Sequence, residues 1–219
     1  MLSLWSLLQT YPNVISDAEC QLIIDEFAAR ERAESSYESS MHAVTGKRTI
    51  STFKSISLVP GTAAFATAHR CTQAVITRWL QHLESMGRFN IKAFRQCLRY
   101  AHDYRVLKYE EGARIHPHTD WDPFTFGSCT LALNDDYRGG DFAFFHGEHT
   151  VRLARGAAMI WPADCFWVHE VQPVHTGVRY SVNSFINSIP EELKLRAIQA
   201  LNATPREAWQ TAYQHELPR

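Results

Sequence analysis

Apolar residues in the first part of the chain recur at helical spacing. Leu22, Ile23 and Phe27 form one such stripe, and Ser16 and Glu19 stand before it in the pattern of a capping box. These positions predict a helix over about residues 17–32. The more polar stretch that follows, residues 34–42, is predicted to be a loop.

Two further patterns precede the middle of the chain. Residues 48–58, RTISTFKSISL, alternate between apolar and polar types and are rich in β-branched residues, which predicts a strand. A second helical stripe follows and predicts a helix over about residues 62–85. Its expected buried positions are Phe65, Val75, Trp79 and Leu83.

From about residue 96 the pattern changes to short alternating runs separated by turn residues. Several short strands at such spacing are typical of a β-sandwich or barrel. Residues 136–140 are predicted to form a hairpin turn, because Gly139 and Gly140 can adopt the positive φ that a tight turn needs. The sequence therefore predicts a mainly β fold with flanking helices.

The C-terminal part returns to helical signals. Ser188 with Glu191, and Thr204 with Glu207, have the capping-box spacing with a proline in between. No internal repeat or Pro/Gly-rich linker divides the chain. We therefore expect a single domain over residues 1–219, with helical N-terminal support over about 1–95, a β core over about 96–187 and helices over about 188–219.

Composition narrows the class of protein. The 219 residues are 45% hydrophobic and 21% charged, as in ordinary globular proteins, and the formal net charge is −1. This balance gives no general attraction to nucleic acid or to an anionic membrane. The N-terminus has no basic region, and no run of 18 apolar residues occurs, so we expect a cytoplasmic protein without a membrane span.

The five cysteines show no CxxC motif and no framework of spacings. An odd number of unpatterned cysteines is typical of reduced thiols rather than of structural disulfides. We therefore expect all five to be free.

The segment HPHTDWD, residues 116–122, contains four residues that could bind a metal. Residues two apart on a strand point to the same face, so His118 and Asp120 are expected to project side by side. They could supply two ligands of a set of two histidines and one carboxylate, which holds iron with open coordination positions. His169 and His175 are the candidates for the remaining ligand.

A second pair lies further along the chain. Arg179 and Ser181 are two apart in GVRYSVNSF and are expected to share one face of a strand. An arginine fork beside a hydroxyl is well suited to binding a carboxylate. This pair predicts a carboxylate-bearing ligand.

The other polar residues near these motifs have simpler interpretations. His116 is expected at the rim, hydrogen-bonded rather than ligating, because a zinc site would need a further well-placed ligand. Asp122, before Pro123, is expected to be a turn residue, and His175 a surface turn residue. His146 and His149 are expected to flank a hairpin end.

Over roughly residues 106–186 the chain resembles the Fe(II)- and 2-oxoglutarate-dependent dioxygenases, specifically their prolyl 4-hydroxylase-like branch. The resemblance lies in stretches that occur in the family's order: VLKYEEG, HTD, LALNDDYRGGDFAFF, VRLARGAAMIWP and HEVQPVHTGVRYS. It implies a double-stranded β-helix, or jelly-roll. It also implies iron ligation by His118, Asp120 and His169, and binding of the distal 2-oxoglutarate carboxylate by Arg179 with help from Ser181 and Tyr109.

The resemblance further implies an activity. Such an enzyme uses Fe(II), 2-oxoglutarate and O2, with ascorbate as a candidate reductant, to hydroxylate an unactivated C–H bond, and it releases succinate and CO2. A prolyl or other peptidyl residue is the favoured substrate. Arg179 stands where collagen-type enzymes have a lysine, which weakens the inference to prolyl substrates.

Three alternatives remain from the sequence. The same chemistry could act on a free amino acid or small metabolite, or the chain could be a non-catalytic, cupin-like binding protein. Complete retention of the three ligands and Arg179 argues against loss of catalysis. Nucleic-acid demethylation is disfavoured because the demethylase branch of the family has a second arginine after the one that binds the cosubstrate. RYSVNSF has no arginine after Arg179. The sequence leaves the oligomeric state open.

Overall fold

The computed structural model describes residues 3–203 of the chain. Within them lie four α-helices and thirteen strands. The helices are α1 (Asp17–Glu34), α2 (Ala63–Ser85), α3 (Ile91–Cys97) and α4 (Glu191–Ala203). The strands are β1 (Gln9–Tyr11), β2 (Ser36–Met41), β3 (Arg48–Ser57), β4 (Tyr100–Tyr109), β5 (Ile115–His118), β6 (Thr125–Ala132), β7 (Arg138–Gly139), β8 (Phe142–Phe144), β9 (His149–Val151), β10 (Ala158–Pro162), β11 (His169–Val171), β12 (Val174–Thr176) and β13 (Arg179–Asn187).

The strands form a jelly-roll. A seven-stranded major sheet has the order β1-β10-β6-β13-β4-β3-β2, and a four-stranded minor sheet has the order β5-β11-β8-β9. Strands β12 and β7 form a separate two-stranded ribbon, and the paired strands are antiparallel throughout. The predicted mainly β class, with helices before and after the jelly-roll, is confirmed.

Alternation along the strands divides the core into two layers. In β4, Val106 packs in the cluster that includes α1 and α2, whereas Leu107 packs in the cluster that includes the minor sheet. Met159 and Ile160 of β10 divide in the same way. Successive side chains of a strand point to opposite faces. The major sheet is therefore covered by helices on one face and by the minor sheet on the other.

The first two predicted helices are confirmed, with small differences in their ends. In α1 the Ser16 hydroxyl accepts from the Glu19 amide, and the Glu19 carboxylate accepts from the Ser16 amide at 3.0 Å, so the predicted capping box is present. Helix α2 begins after Thr62, whose hydroxyl accepts from the Phe65 amide. Among residues 3–203, no helix is long and apolar enough to cross a membrane.

The predicted loop over residues 34–42 is wrong, because most of it is strand β2. This strand pairs with β3 and forms one edge of the major sheet. An edge strand can carry polar side chains on both faces, so its serines gave no apolar alternation to detect. The strand predicted over residues 48–58 is present as β3, so the N-terminal 95 residues contribute three strands of the major sheet as well as helices.

The hairpin turn predicted at residues 136–140 differs from the structure. Residues 136–140 do not form a hairpin; they lead from β6 in the major sheet through β7, which pairs with β12, to β8 in the minor sheet. Gly139 does have the expected positive φ, 71°, and an added Cβ would lie 2.3 Å from the Pro173 carbonyl oxygen. The backbone at this turn thus requires glycine for a crossing between sheets.

The predicted capping box at Ser188 and Glu191 is not formed. Helix α4 begins at Glu191, the Glu191 carboxylate accepts from the Asn187 side chain, and the Ser188 hydroxyl points to the Phe124 carbonyl oxygen. The cap predicted at Thr204 and Glu207 lies outside the described residues. The short helix α3 was not predicted.

Candidate metal centre

Three polar side chains meet between the two sheets. His118 ends β5 and His169 begins β11, and the two residues are directly opposite each other in the antiparallel pair. Asp120 lies two residues beyond His118, in the loop after β5. His118 Nε2 is 3.4 Å from Asp120 Oδ1, and His169 Nε2 is 3.4 Å from Asp120 Oδ2. One potential ligand atom from each residue lies within 4.8 Å of the others.

Main-chain carbonyl groups orient both imidazole rings. His118 Nδ1 is 2.8 Å from the His116 carbonyl oxygen, and His169 Nδ1 is 3.0 Å from that of Trp167. A carbonyl oxygen can only accept a hydrogen bond, so each Nδ1 must be the protonated donor. Nε2 is then the nitrogen that each ring turns toward Asp120, and in the neutral imidazole it carries the lone pair that a metal ligand needs.

The Asp120 carboxylate is held in an ionised state. Its burial alone would raise the pKa, but the imidazoles of His169 and His118 and a 2.6 Å hydrogen bond from Ser128 Oγ bring that pKa well below its ordinary value. Ser128 is on β6 of the major sheet, whereas Asp120 follows β5 of the minor sheet. Their hydrogen bond therefore links the two sheets at this carboxylate. The result is a buried anion that faces the Nε2 atoms of both imidazoles.

Burial affects the two histidines differently. Burial lowers the pKa of His169 to about 4. Burial also acts to lower the pKa of His118, but its hydrogen bond to Asp120 outweighs this and raises that pKa above its ordinary value. His169 is accordingly neutral at neutral pH, whereas His118 more readily keeps a second proton on Nε2, toward the ionised Asp120. A divalent cation bound between them would displace that proton.

Arg179 lies behind this set on the inner face of the major sheet. It is 3% exposed, and its Nη1 donates to Ser181 Oγ at 3.1 Å. Its guanidinium lies over the rings of Tyr109 and Phe142, 4.8 and 5.0 Å from their centroids. Within residues 3–203 no carboxylate lies within ion-pair distance of it. A buried guanidinium without a carboxylate partner is costly unless a ligand supplies one.

A cavity of about 510 Å³ borders the three-residue set. His118, Asp120 and His169 line it, and so do Tyr109 and Phe142, the two rings on which Arg179 stacks. Burial raises the pKa of the Tyr109 hydroxyl far above its ordinary value, so Tyr109 presents a protonated phenol. The cavity is large enough for a dicarboxylate together with part of a second molecule.

The sequence-predicted residues that were not expected to bind metal lie outside the three-residue set. The His116 ring lies against that of His42, with 6.1 Å between centroids, and only its carbonyl serves His118. Asp122 accepts from the amides of Phe124 and Thr125, as a turn residue does. His175 is an exposed residue of β12.

The two histidines of HGEH also lie away from the three-residue set. His146 is in the short turn that joins β8 to β9, so the expected hairpin is present. The His149 ring stacks on Trp5.

Sequence reasoning missed one wall of the cavity. Glu38 and Ser40 of β2, Arg105 of β4 and Asn183 of β13 all line it. A Ser-x-Glu-x-Ser alternation over residues 36–40 was the available signal, but it has no apolar face. The hydrogen bond from Ser128 to Asp120 was also missed, since it joins residues from different strands.

The donor set fits Fe(II) and fits zinc less well. Two imidazole nitrogens and one carboxylate on one side, with the cavity on the other, match the arrangement that leaves iron positions open to small molecules. A structural zinc site would be closed by a fourth protein ligand. Among residues 3–203, no fourth His, Cys, Asp or Glu belongs to the cluster.

Comparison with known families agrees with this geometry. Residues 104–187 match the model of the 2OG-Fe(II) oxygenase superfamily. We call this matched segment the oxygenase core. The oxygenase core runs from within β4 to the end of β13 and includes His118, Asp120, His169 and Arg179. The resemblance inferred from the sequence is confirmed.

Curated relatives match part of the chain. A PKHD-type hydroxylase of Cupriavidus metallidurans is 34% identical over 110 residues, which cover 45% of this chain and 47% of the relative. A PKHD-type hydroxylase of Xylella fastidiosa is 36% identical over 89 residues, covering 35% and 38%. The chain thus spans less than half the length of these relatives around the oxygenase core.

Solved structures share the fold over most of the chain. A Pseudomonas putida prolyl-4-hydroxylase has a TM-score of 0.60 at 18% identity, covering 84% of this chain and 94% of that one. A prolyl hydroxylase from Trichoplax adhaerens, in complex with a hypoxia-inducible-factor peptide fragment, has a TM-score of 0.64 at 14% identity, covering 88% and 87%. The likeness in fold therefore extends beyond the oxygenase core.

Proposed function

We propose that this protein is an Fe(II)- and 2-oxoglutarate-dependent hydroxylase, and that residues 1–219 act as a single oxygenase domain. The buried set of His118, Asp120 and His169 carries the proposal, because both imidazoles present Nε2 to an ionised carboxylate at 3.4 Å. The match of residues 104–187 to the superfamily model supports it, and so does the jelly-roll fold.

In this proposal His118, Asp120 and His169 hold the iron. Arg179 binds the distal carboxylate of 2-oxoglutarate, Ser181 orients the guanidinium, and Tyr109 forms the wall beside it. Support comes from the burial of Arg179 without a carboxylate partner among the described residues, and from its stacking on two rings that line the cavity. A planar guanidinium pairs with a carboxylate through two parallel hydrogen bonds.

Bound iron, 2-oxoglutarate and O2 would together supply the oxidant that hydroxylates a C–H bond, with succinate and CO2 as coproducts. The chain's own task is to hold these molecules and to exclude water around them. Trp161 and Phe144 pack on the His169 ring, with centroids 5.1 and 5.6 Å away, and keep that side of the site apolar. Ascorbate is a candidate reductant for this iron.

A peptidyl residue, prolyl by resemblance, is the first candidate substrate. The PKHD-type relatives are named hydroxylases, and the Trichoplax adhaerens neighbour is in complex with a peptide fragment. A free amino acid or small metabolite is the second candidate, favoured by the charged wall that Glu38 and Arg105 give the cavity. Five free cysteines support a reducing, cytoplasmic setting.

The decisive experiment measures iron content and succinate formation together. The protein, loaded with Fe(II), is expected to form succinate from 2-oxoglutarate in the presence of O2. Prolyl peptides, free amino acids and small metabolites are then screened, and the true substrate should give the highest rate of succinate formation. His118→Ala, Asp120→Ala and His169→Ala should each abolish this turnover and lower the iron content.

His116→Ala and His175→Ala are the matched controls, since both lie close in sequence to a proposed ligand but outside the set. They should keep the iron stoichiometry and a substantial part of the turnover. Loss of iron in His175→Ala but not in His169→Ala would refute the ligand assignment. Iron binding without any succinate formation would favour the non-catalytic binding protein.

A further inference from the structure

We propose that Glu38 binds a positively charged ammonium group of the substrate. The inference deepens the proposed function and rests on it, because it concerns the molecule that the hydroxylase would hold beside the iron. It assigns a role to strand β2, which lies outside the segment that matches the superfamily model. It also commits to a substrate chemistry that an internal prolyl residue does not have.

Glu38 shares the cavity with the proposed iron ligands. Both Glu38 and Arg105 line the same cavity as His118, Asp120 and His169. Oε2 of Glu38 accepts from Arg105 Nη1 at 2.5 Å, whereas Oε1 has no hydrogen-bond partner among the described residues. A buried carboxylate oxygen without a donor costs free energy, which a donor on a bound molecule can recover.

A β-bulge holds Glu38 in this position. Opposite Glu38, strand β3 has three residues between the partners of Tyr37 and Ser39, so the register shifts there. Ser51 of β3 closes the bulge: its hydroxyl donates to the Glu38 carbonyl oxygen at 2.9 Å and accepts from the Glu38 amide at 3.1 Å. Bulges are frequent beside active sites because they redirect a side chain.

The charges around Arg105 favour a cation. Arg105 already has two carboxylates, Glu38 at 2.5 Å and Asp103 at 3.0 Å. This ion-pair cluster of one guanidinium and two carboxylates has a net charge of −1. The remaining anion in the cavity wall, Asp120, is committed to the metal. A substrate carboxylate would therefore find no unneutralised cation in this part of the cavity, whereas an ammonium group would find an acceptor and a favourable field.

An internal prolyl residue matches this wall poorly. Its amide nitrogen has no hydrogen to donate, and its ring carries no charge. An ammonium group, by contrast, offers three donors. Such a group can come from a lysine-type side chain of a peptide or from the α-amino group of a free amino acid, and the shared chemistry is what Glu38 would recognise.

Binding of three matched probes separates these possibilities. The Fe(II)-loaded protein with 2-oxoglutarate, kept without O2, is titrated by calorimetry with N-acetyl-lysine amide, norleucine amide and N-acetyl-norleucine amide. The first carries a side-chain ammonium, the second an α-ammonium and the third neither. We expect at least one ammonium probe to bind about tenfold or more tightly than the neutral probe, and the preferred one identifies the source. Equal binding of all three to the wild-type protein overturns the proposal.

Substitutions at Glu38 test the residue itself. Glu38→Gln keeps a hydrogen-bond acceptor for Arg105 but removes the charge, and should bring the ammonium and neutral probes to within about twofold of each other. Glu38→Asp should keep part of the preference. Glu34→Gln removes a carboxylate that pairs with Arg30 outside the cavity and should leave the preference intact. A full preference in Glu38→Gln overturns the proposal.

Succinate formation, measured on the same preparations, keeps the two proposals apart. An ammonium preference without any succinate formation refutes the hydroxylase and supports binding by Glu38. Succinate formation without an ammonium preference refutes only the role of Glu38.

Discussion

Arg179 shows how a single buried residue constrains the ligand. The protein places this guanidinium on two aromatic rings and one hydroxyl, and among the described residues it has no carboxylate to balance the charge. Rings and hydroxyls stabilise a cation less than a paired carboxylate does. In the proposed function, a carboxylate of the bound ligand would supply the missing partner.

Replacing Arg179 tests this directly. Arg179→Ala is expected to weaken 2-oxoglutarate binding by about 2–4 kcal/mol, roughly 30- to 1,000-fold, because the variant buries a carboxylate without its partner. Iron should remain bound, since Arg179 does not contact the three proposed ligands. The measurement is the 2-oxoglutarate concentration needed for half-maximal succinate formation, together with iron content.

Arg152→Ala is the control for this substitution. Arg152 also lies over a tyrosine ring, 4.8 Å from the centroid of Tyr137, but it pairs with Asp141 near the surface. It should leave the 2-oxoglutarate requirement unchanged. An unchanged requirement in Arg179→Ala would remove that residue from the site.

At the scale of elements, helix α4 secures the loop that carries Asp120. Lys194 of α4 is 6% exposed, and its Nζ is 2.7 Å from Asp122 Oδ2 and 3.4 Å from Thr125 Oγ1. Asp122 in turn caps the turn that leads into β6, two residues after Asp120. A helix that follows the oxygenase core in sequence thus holds one end of the loop at the metal centre.

Lys194→Met should loosen this loop. Loss of the charge-assisted contacts to Asp122 should lower the free energy of unfolding by about 1.5–3 kcal/mol. Iron affinity should also fall, because Asp120 is positioned by the same loop. Denaturant unfolding and iron titration measure the two effects. Arg196→Met, at an exposed position of the same helix, should leave both the free energy of unfolding and the iron affinity unchanged. If Lys194→Met also leaves both unchanged, α4 does not act on the loop.

The elements also show what the sequence could and could not predict. Helices α1 and α2 were predicted within two residues because each has an apolar stripe and a polar cap. Strand β2 was not, because its partner β3 stabilises it through main-chain hydrogen bonds that leave no trace in its own side chains. Asp120 was placed near His118 by their spacing alone, whereas Glu38 and Ser128 reach the site only through strand pairing.

At the scale of the whole molecule, the jelly-roll places thiols at very different depths. Cys20 of α1, Cys71 of α2 and Cys129 of β6 are buried in the core layer between the helices and the major sheet, Cys97 is half-buried and Cys165 is exposed. Burial raises the pKa of Cys129 to about 12 and raises the pKa values of Cys20 and Cys71 as well. Because the thiolate is the reactive form, these three should react slowly in the folded protein.

Thiol labelling therefore reports on the packing of the whole fold. In the native protein one thiol should react rapidly and one more slowly, and three should react only as the protein unfolds. Under denaturing, non-reducing conditions all five should react. Cys165→Ser should remove the rapid phase. Finding three or fewer reactive thiols after denaturation would contradict the expectation of free cysteines, and rapid native labelling of all five would contradict the packing.

The orientation of His118 and His169 depends on peptide carbonyl groups, at His116 and Trp167, rather than on side chains. Every amino acid supplies such a carbonyl, so mutation of residue 116 or 167 leaves the acceptor in place as long as the strands keep their path. In many metal centres the corresponding partner is a carboxylate, which a single base change can remove. Here backbone geometry sets which ring nitrogen of each imidazole is protonated. Substitution of the neighbouring side chains should therefore leave that tautomer unchanged.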